Sequence, residues 1–242
     1  MNSLIMCEGE TDAILLSYYL MRTIGWVHCN APDGLNISVE EARGESANWY
    51  HRDRDYLLIC AVGSKDSFQH FFENRIANPL FDTDDAFSKI ALMLDRDEET
   101  ISDIEINIRR CLPKVAVNAE NDSWVMHEYQ NSYGQTKSLD FLLLIIPPQQ
   151  QGALETLLLA AISENAYDKN IVDKSRTFVD EIASEATRYI GKRRMILKAY
   201  LGVTWAIQSP QKVFKFIDDQ IRLVKWEDST ILSQSFRKIK EI

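Results

Sequence analysis

Apolar runs of strand length punctuate the first 150 residues. The runs are Leu4–Cys7, Tyr56–Val62, Ile90–Leu94 and Phe141–Ile146. They predict strands over about 3–8, 56–62, 88–94 and the stretch up to 146, the second, third and fourth of them buried. Helical spacing follows the first three. Ala13, Leu16, Tyr19, Leu20 and Thr23 lie on or beside one face of a helix over about 11–25. Phe68, Phe71 and Phe72 face the core from a helix running from Ser67 to about Ile76. Ile101, Ile104, Ile108 and Leu112 mark a third helix over about 98–111, which Pro113 stops. Three strand–helix units in succession predict a parallel sheet with right-handed crossovers.

The pattern lapses in two places. Residues 28–55 are rich in Asn, Asp, Glu and Gly and read as an insertion or long loop, in which the cluster Trp49-Tyr50-His51-Arg52 is expected to pack. Pro79 and the acids Asp82, Asp84 and Asp85 read as a second loop. Ser123–Gln130 alternates, and Asn131-Ser132-Tyr133-Gly134 turns the chain into Thr136–Ile146. This is a hairpin on the sheet edge, or a short strand followed by the fourth buried strand. Pro147-Pro148 ends the run and Gln149-Gln150-Gln151 forms a polar hinge. Beyond Gly152 the spacing is helical throughout, over about 152–164, 171–190, 192–207, 210–222 and 229–240. The organisation expected is an α/β domain over 1–150 and a helical region over 151–242. Trp205 and Trp226 are expected in the core of the latter, with a dimer interface as the alternative.

Composition narrows the setting. The chain has 242 residues, 45% hydrophobic and 26% charged, enough to bury a core without staples. No apolar run approaches the roughly 20 residues that span a bilayer. Glu8, Glu10 and Asp12 break the N-terminal apolar stretch too early for a signal peptide. Cys7, Cys29, Cys60 and Cys111 lack metal-site spacing, so free thiols in a reduced, cytoplasmic protein are expected. The net charge of −9 argues against bulk attraction to nucleic acid. Residues 1–150 carry 12 basic against 24 acidic side chains, and residues 151–242 carry 15 against 12. Solvated faces explain that asymmetry, and so does a polyanion site whose acids are neutralised by metal ions.

The first strand runs into Glu8-Gly9-Glu10-Thr11-Asp12, and the third ends in Asp95-Arg96-Asp97. Taken alone, Glu8 is a surface carboxylate and Asp95-Arg96-Asp97 a turn. Gathered at the carboxyl ends of parallel strands, they form an oxygen-rich pocket suited to Mg²⁺ or Mn²⁺ rather than zinc. An ion there can activate water and stabilise an oxyanion in phosphodiester chemistry, and two ions roughly 3.5–4 Å apart would do both. Asp12, in the first helical turn, either joins the ion or complements the helix dipole.

Glu8-Gly9-Glu10-Thr11-Asp12, Ala61-Val62-Gly63-Ser64-Lys65 and Leu94-Asp95-Arg96-Asp97 together resemble the Toprim domain of primases, topoisomerases, recombination-repair proteins and the overcoming-lysogenization-defect (OLD) nucleases. The resemblance covers roughly residues 1–150. It implies a Rossmann-like, four-stranded parallel sheet with flanking helices, a C-terminal helical extension, and a Mg²⁺ site built from Glu8, Asp95 and Asp97. Glu8 would act as general acid or base. Resemblance to small stand-alone Toprim proteins and OLD-type nucleases adds Asp12 and Glu155 as metal ligands. It also adds a tail lysine, Lys192 or Lys198, to stabilise transition-state charge. Ordinary readings stand beside these: Glu155 opens a helix, and Lys192 belongs to the solvated run Lys192-Arg193-Arg194. There is no ATP-binding glycine-rich loop, so any ATP control would come from an ATPase partner. Ser64 stands where a second glycine is common in the family.

Two functions compete. One is a Mg²⁺-dependent hydrolase cleaving DNA or RNA, in a defence setting and dimerising through its helical tail. The other is a non-catalytic binding or regulatory module that kept the Toprim sheet. A generic α/β protein with an accidental likeness is the third alternative.

Overall fold

The computed structural model of the chain describes residues 1–82 and 87–213. Two compact units are distinguished, Met1–Leu157 and Leu158–Ile242. The first is built on a mixed seven-stranded sheet. Its strands are β1 (Asn2–Cys7), β2 (Val27–Cys29), β3 (Glu45–Arg52), β4 (Asp55–Val62), β5 (Lys89–Asp95), β6 (Trp124–Gln130) and β7 (Thr136–Ile146), in the order β2-β3-β4-β1-β5-β7-β6. The pairs β4–β1, β1–β5 and β5–β7 run parallel, while β2–β3, β3–β4 and β6–β7 are antiparallel.

The inner strands are apolar because both of their faces are covered. Register places Met6 beside Cys60 and Leu92, Leu92 beside Leu143, and Leu94 beside Ile145. These side chains share one buried cluster with Phe68, Phe71, Phe72, Ile76, Ile104, Ile108 and Leu112. The alternate positions Cys7, Ile59, Ala61 and Met93 are buried too. Helix α1 (Glu10–Ile24) packs on β4 and β1.

Residues 28–55 depart from the loop expectation. They form β2 and the eight-residue β3, joined to β4 by a tight turn in which Asp53 takes a positive φ of 55°. Trp49 and Tyr50 are buried, so the cluster packs as expected. The segment after β4 differs as well. A 3₁₀ turn (Lys65–Ser67), α2 (Phe68–Phe71), a π turn (Phe72–Ile76) and α3 (Ala77–Asp82) follow one another, and Pro79 lies inside α3 rather than in a loop. The π turn just before it breaks the regular bonding ladder, next to the one residue that brings no N–H. Asp84 and Asp85 lie outside the described residues. Helix α4 (Ile101–Cys111) starts three residues later than the spacing predicts, because Thr100 caps it, Oγ1 accepting from the Asp103 N–H at 3.1 Å. Both expectations for 123–146 hold at once. β7 is one eleven-residue strand, hairpin-paired to β6 and parallel to β5.

Helices α5 (Leu154–Ile162), α6 (Ala166–Ala183), α7 (Thr187–Ile190), α8 (Arg193–Gln208) and α9 (Pro210–Val213) complete the described chain. The second unit has its own small cluster of Leu159, Val172 and Leu201. Trp205 is not part of it; it is 45% exposed, one position beyond the buried Thr204 on α8. Trp226 lies outside the described residues. No helix among the described residues is long and apolar enough to cross a membrane.

Candidate metal centre

The carboxyl ends of β4, β1 and β5 lie side by side and each delivers a charged group. Glu8 leaves β1 immediately after Cys7, Asp95 closes β5, and Lys65 follows the Gly63-Ser64 turn after β4. Glu8 Oε1 accepts from the backbone N–H of Asp95 at 3.1 Å, which ties the two strand ends together. Asp95 Oδ1 accepts from the N–H of Leu154, the first residue of α5, at 2.8 Å. Asp12 Oδ2 reaches back to the Gly9 N–H at 2.8 Å and so caps α1. Glu8, Asp12 and Asp95 are 2%, 7% and 4% exposed.

Gathering acids in a dry place has an electrostatic consequence. Burial first, then the negative charges of Glu8 and Asp12, push the Asp95 carboxyl up to about 7; Asp97 adds a smaller push and the Leu154 N–H opposes it. Burial, with the charges of Asp12, Cys60 and Glu8, also lifts the Cys7 thiol well above its ordinary value. Cys7 is therefore a neutral thiol bonded to the Cys60 carbonyl at 3.1 Å, not a thiolate ligand.

Asp97 is held by its backbone. It exchanges two hydrogen bonds with Gly152: the Asp97 N–H donates to the Gly152 carbonyl at 2.6 Å, and the Gly152 N–H donates back at 2.9 Å. Asp97 sits at φ 51° and Gly152 at φ 150°, where a Cβ would overlap the Thr156 side chain. This clasp brings the start of α5 onto the Asp95–Asp97 segment. Glu155 thus sits one residue beyond the amide that binds Asp95, half-buried in the first turn.

Lys65 is the residue that sequence reasoning passed over. Its Nζ donates to the Asp95 carbonyl at 3.1 Å, lies 3.6 Å from Asp97 Oδ2 and pairs closely with Glu99 Oε2. Gly63-Ser64-Lys65 after a buried strand carried the signal, since it repeats the strand–glycine-turn pattern of Glu8-Gly9. The tail lysines belong to the second unit. Lys192 precedes the first turn of α8 and Lys198 lies on it, both exposed.

The donor set is chemically right for a hard divalent cation: carboxylates at a negative, dry strand end. The histidines lie elsewhere, on β2, β3, α2 and β6. The positions are less complete. Among the described residues no three His, Cys, Asp or Glu side chains are gathered as a ready metal site. Glu8, Asp12 and Asp95 each direct one oxygen to a backbone N–H, and Asp97 faces Lys65.

No curated protein matches the chain. A solved structure of a hypothetical protein from Pyrococcus horikoshii OT3 is similar at 14% identity and a TM-score of 0.46, covering 90% of this chain and 94% of that one. The family model described as "Protein of unknown function (DUF3226)" matches residues 2–236, and the chain belongs to that family.

Proposed function

We propose that the chain is a Mg²⁺-dependent phosphodiesterase of the Toprim type, acting on DNA or RNA. One observation carries the reading. Glu8 and Asp95 stand at the ends of adjacent parallel strands, buried and hydrogen-bonded, with the Asp95 carboxyl raised to about 7 by burial first and then by its acidic neighbours. A cation is the natural relief for such a group. The four parallel strands β4-β1-β5-β7 support a Toprim-like sheet with three added antiparallel strands. In this reading Glu8, Asp12, Asp95, Asp97 and Glu155 hold Mg²⁺, or Mn²⁺ in its place. When bound, that ion supplies Lewis acidity toward a phosphate and lowers the pKa of water. The protein's own groups do the rest. Glu8 holds or moves a proton as general acid or base. The α5 amide orients Asp95, and the Gly152 clasp orients Asp97. A tail lysine, Lys192 or Lys198, adds positive charge toward the transition state. An ATPase partner and a homodimer belong to the same reading.

A second reading, a non-catalytic module, has its own support: the acids are already engaged by amides and Lys65, and no three are gathered for a metal. Cleavage assays separate the two. Plasmid, single-stranded DNA and tRNA are incubated in Mg²⁺ and in Mn²⁺ with wild type and with the Glu8→Ala, Asp95→Ala double variant. The expected result is cleavage by wild type alone. Absence of any difference on every substrate refutes hydrolysis and leaves the binding module.

A further inference from the structure

We propose that Lys65 is a positioning residue of the acid site, whose ammonium occupies the cation seat at Asp97 and Glu99 and competes with a divalent ion for it. The inference rests on the metal-dependent reading above and concerns how that site is kept before an ion arrives.

Three oxygens surround Lys65 Nζ: the Asp95 carbonyl, Asp97 Oδ2 and Glu99 Oε2. Carbonyl and carboxylate oxygens are also what a hard divalent cation selects. The contact is built from both sides. On the lysine side, Gly63 takes φ 93°, and a Cβ there would overlap the Arg43 carbonyl, so only glycine lets the chain turn so closely. Ser64 and Ser67 then close the 3₁₀ turn through an Oγ–Oγ bond of 2.7 Å and an N–H···O bond of 3.0 Å. On the acid side, Asp97 is fixed by the Gly152 clasp. The Lys65 side chain is 21% exposed, unlike a freely solvated surface lysine.

One Asp97 carboxylate serves two cations, and two cations at neighbouring positions repel. Whatever favours one disfavours the other by the same free energy. This accounts for the arrangement seen: Asp97 and Glu99 turn toward Lys65 instead of joining Glu8 and Asp95 in a ready-made set. It gives Glu99 a part that the sequence did not indicate. It also places a positive charge beside the acids without the tail lysines.

The test is Mn²⁺ binding to the full chain, read by electron paramagnetic resonance or calorimetry, for wild type, Lys65→Met, Lys65→Arg and Glu8→Gln. Competition predicts that Lys65→Met binds Mn²⁺ about fivefold tighter than wild type, the upper scale of a partly exposed ion pair. Lys65→Arg keeps the charge and stays within about twofold of wild type. Without metal, Lys65→Met melts below wild type, because the acids have lost their counter-charge, and saturating Mn²⁺ closes the gap. If Lys65→Met does not fold without metal, Lys65→Gln carries the same prediction. Equal or weaker Mn²⁺ binding by the neutral variants overturns the proposal, and so does an equal gain in Lys65→Arg. Should wild type bind Mn²⁺, Glu8→Gln lose it and Lys65→Met change nothing, the competition alone is wrong. Should neither wild type nor the neutral variants bind, the metal reading fails with it.

Discussion

Asp95 carries the most exposed prediction at the scale of single residues. Its carboxyl titrates near 7 in the folded chain, against an ordinary value of 3.8. The folded state therefore binds this proton more tightly than the unfolded state does. Between about pH 4 and pH 7 the unfolded chain has released the proton and the folded one has not, so Asp95 makes stability fall as pH rises through that window. Above pH 7 the deficit is complete. Asp95→Asn keeps an acceptor for the Leu154 amide but removes the charge. In EDTA, the variant is expected to melt above wild type at pH 8 and to differ little at pH 4. A variant less stable than wild type at pH 8 contradicts the electrostatic account. If the site takes a divalent ion, as proposed, the affinity for that ion is expected to rise with pH as Asp95 loses its proton. Glu8 and Asp95 were legible in the sequence because each closes an apolar run. Lys65 was marked only by the glycine turn that carries it after a buried strand; nothing along the chain says that this turn and Asp97 face each other across 32 positions.

Among the elements, those buried on both sides announced themselves and those at the margin did not. β1, β4, β5 and the second half of β7, Phe141–Ile146, are nearly unbroken apolar runs along the middle of the sheet. β3 was hidden. Glu45, Ser46, Asn48, His51 and Arg52 give it the composition of a loop, and its place in the sheet comes from the antiparallel turn at Asp53. Glu45 is buried there with two partners: the Glu40 N–H donates to its carboxylate at 2.8 Å, and Arg75, from the π turn, pairs with it at 3.2 Å, a contact between distant elements that no local pattern reveals. The clasp between the β5 extension and the start of α5 is another such contact. It yields a prediction for Gly152→Ala. The new Cβ would meet Thr156 and the backbone would be strained at φ 150°. A loss of about 2–4 kcal/mol is expected. Gly34 is the control, since its φ of 83° is also positive but no atom lies within 4 Å of an added Cβ. Gly34→Ala is expected to lose only about 1 kcal/mol, from strain alone. Equal losses in chemical denaturation would mean that Gly152 is there for its φ and not for a close approach to Thr156.

For the molecule as a whole, charge decides what it can approach. A chain of net charge −9 repels a polyanion at long range, and the deficit lies in residues 1–150, which carry the acid site. With 24 acidic against 12 basic side chains in that stretch, nucleic-acid contact at the site is expected to need cations beyond the protein's own. The two stretches of sequence answer differently, since residues 151–242 hold a small excess of basic groups. If the tail alone bound the substrate, binding would need no divalent ion and would be indifferent to Glu8 and Asp95. If the acid site takes part, binding has to be conditional on the ion. Fluorescence anisotropy on a short single-stranded DNA distinguishes these cases. The expected outcome is weak binding in EDTA, which Ca²⁺ strengthens about tenfold or more, Ca²⁺ being an oxygen-seeking probe of the same seat. The Glu8→Gln, Asp95→Asn double variant is expected to bind in EDTA at least as well as wild type, because two repelling charges are gone, and to gain nothing from Ca²⁺. Binding by wild type that is unchanged between EDTA and Ca²⁺ would assign the contact to the basic half and detach the acid site from nucleic acid.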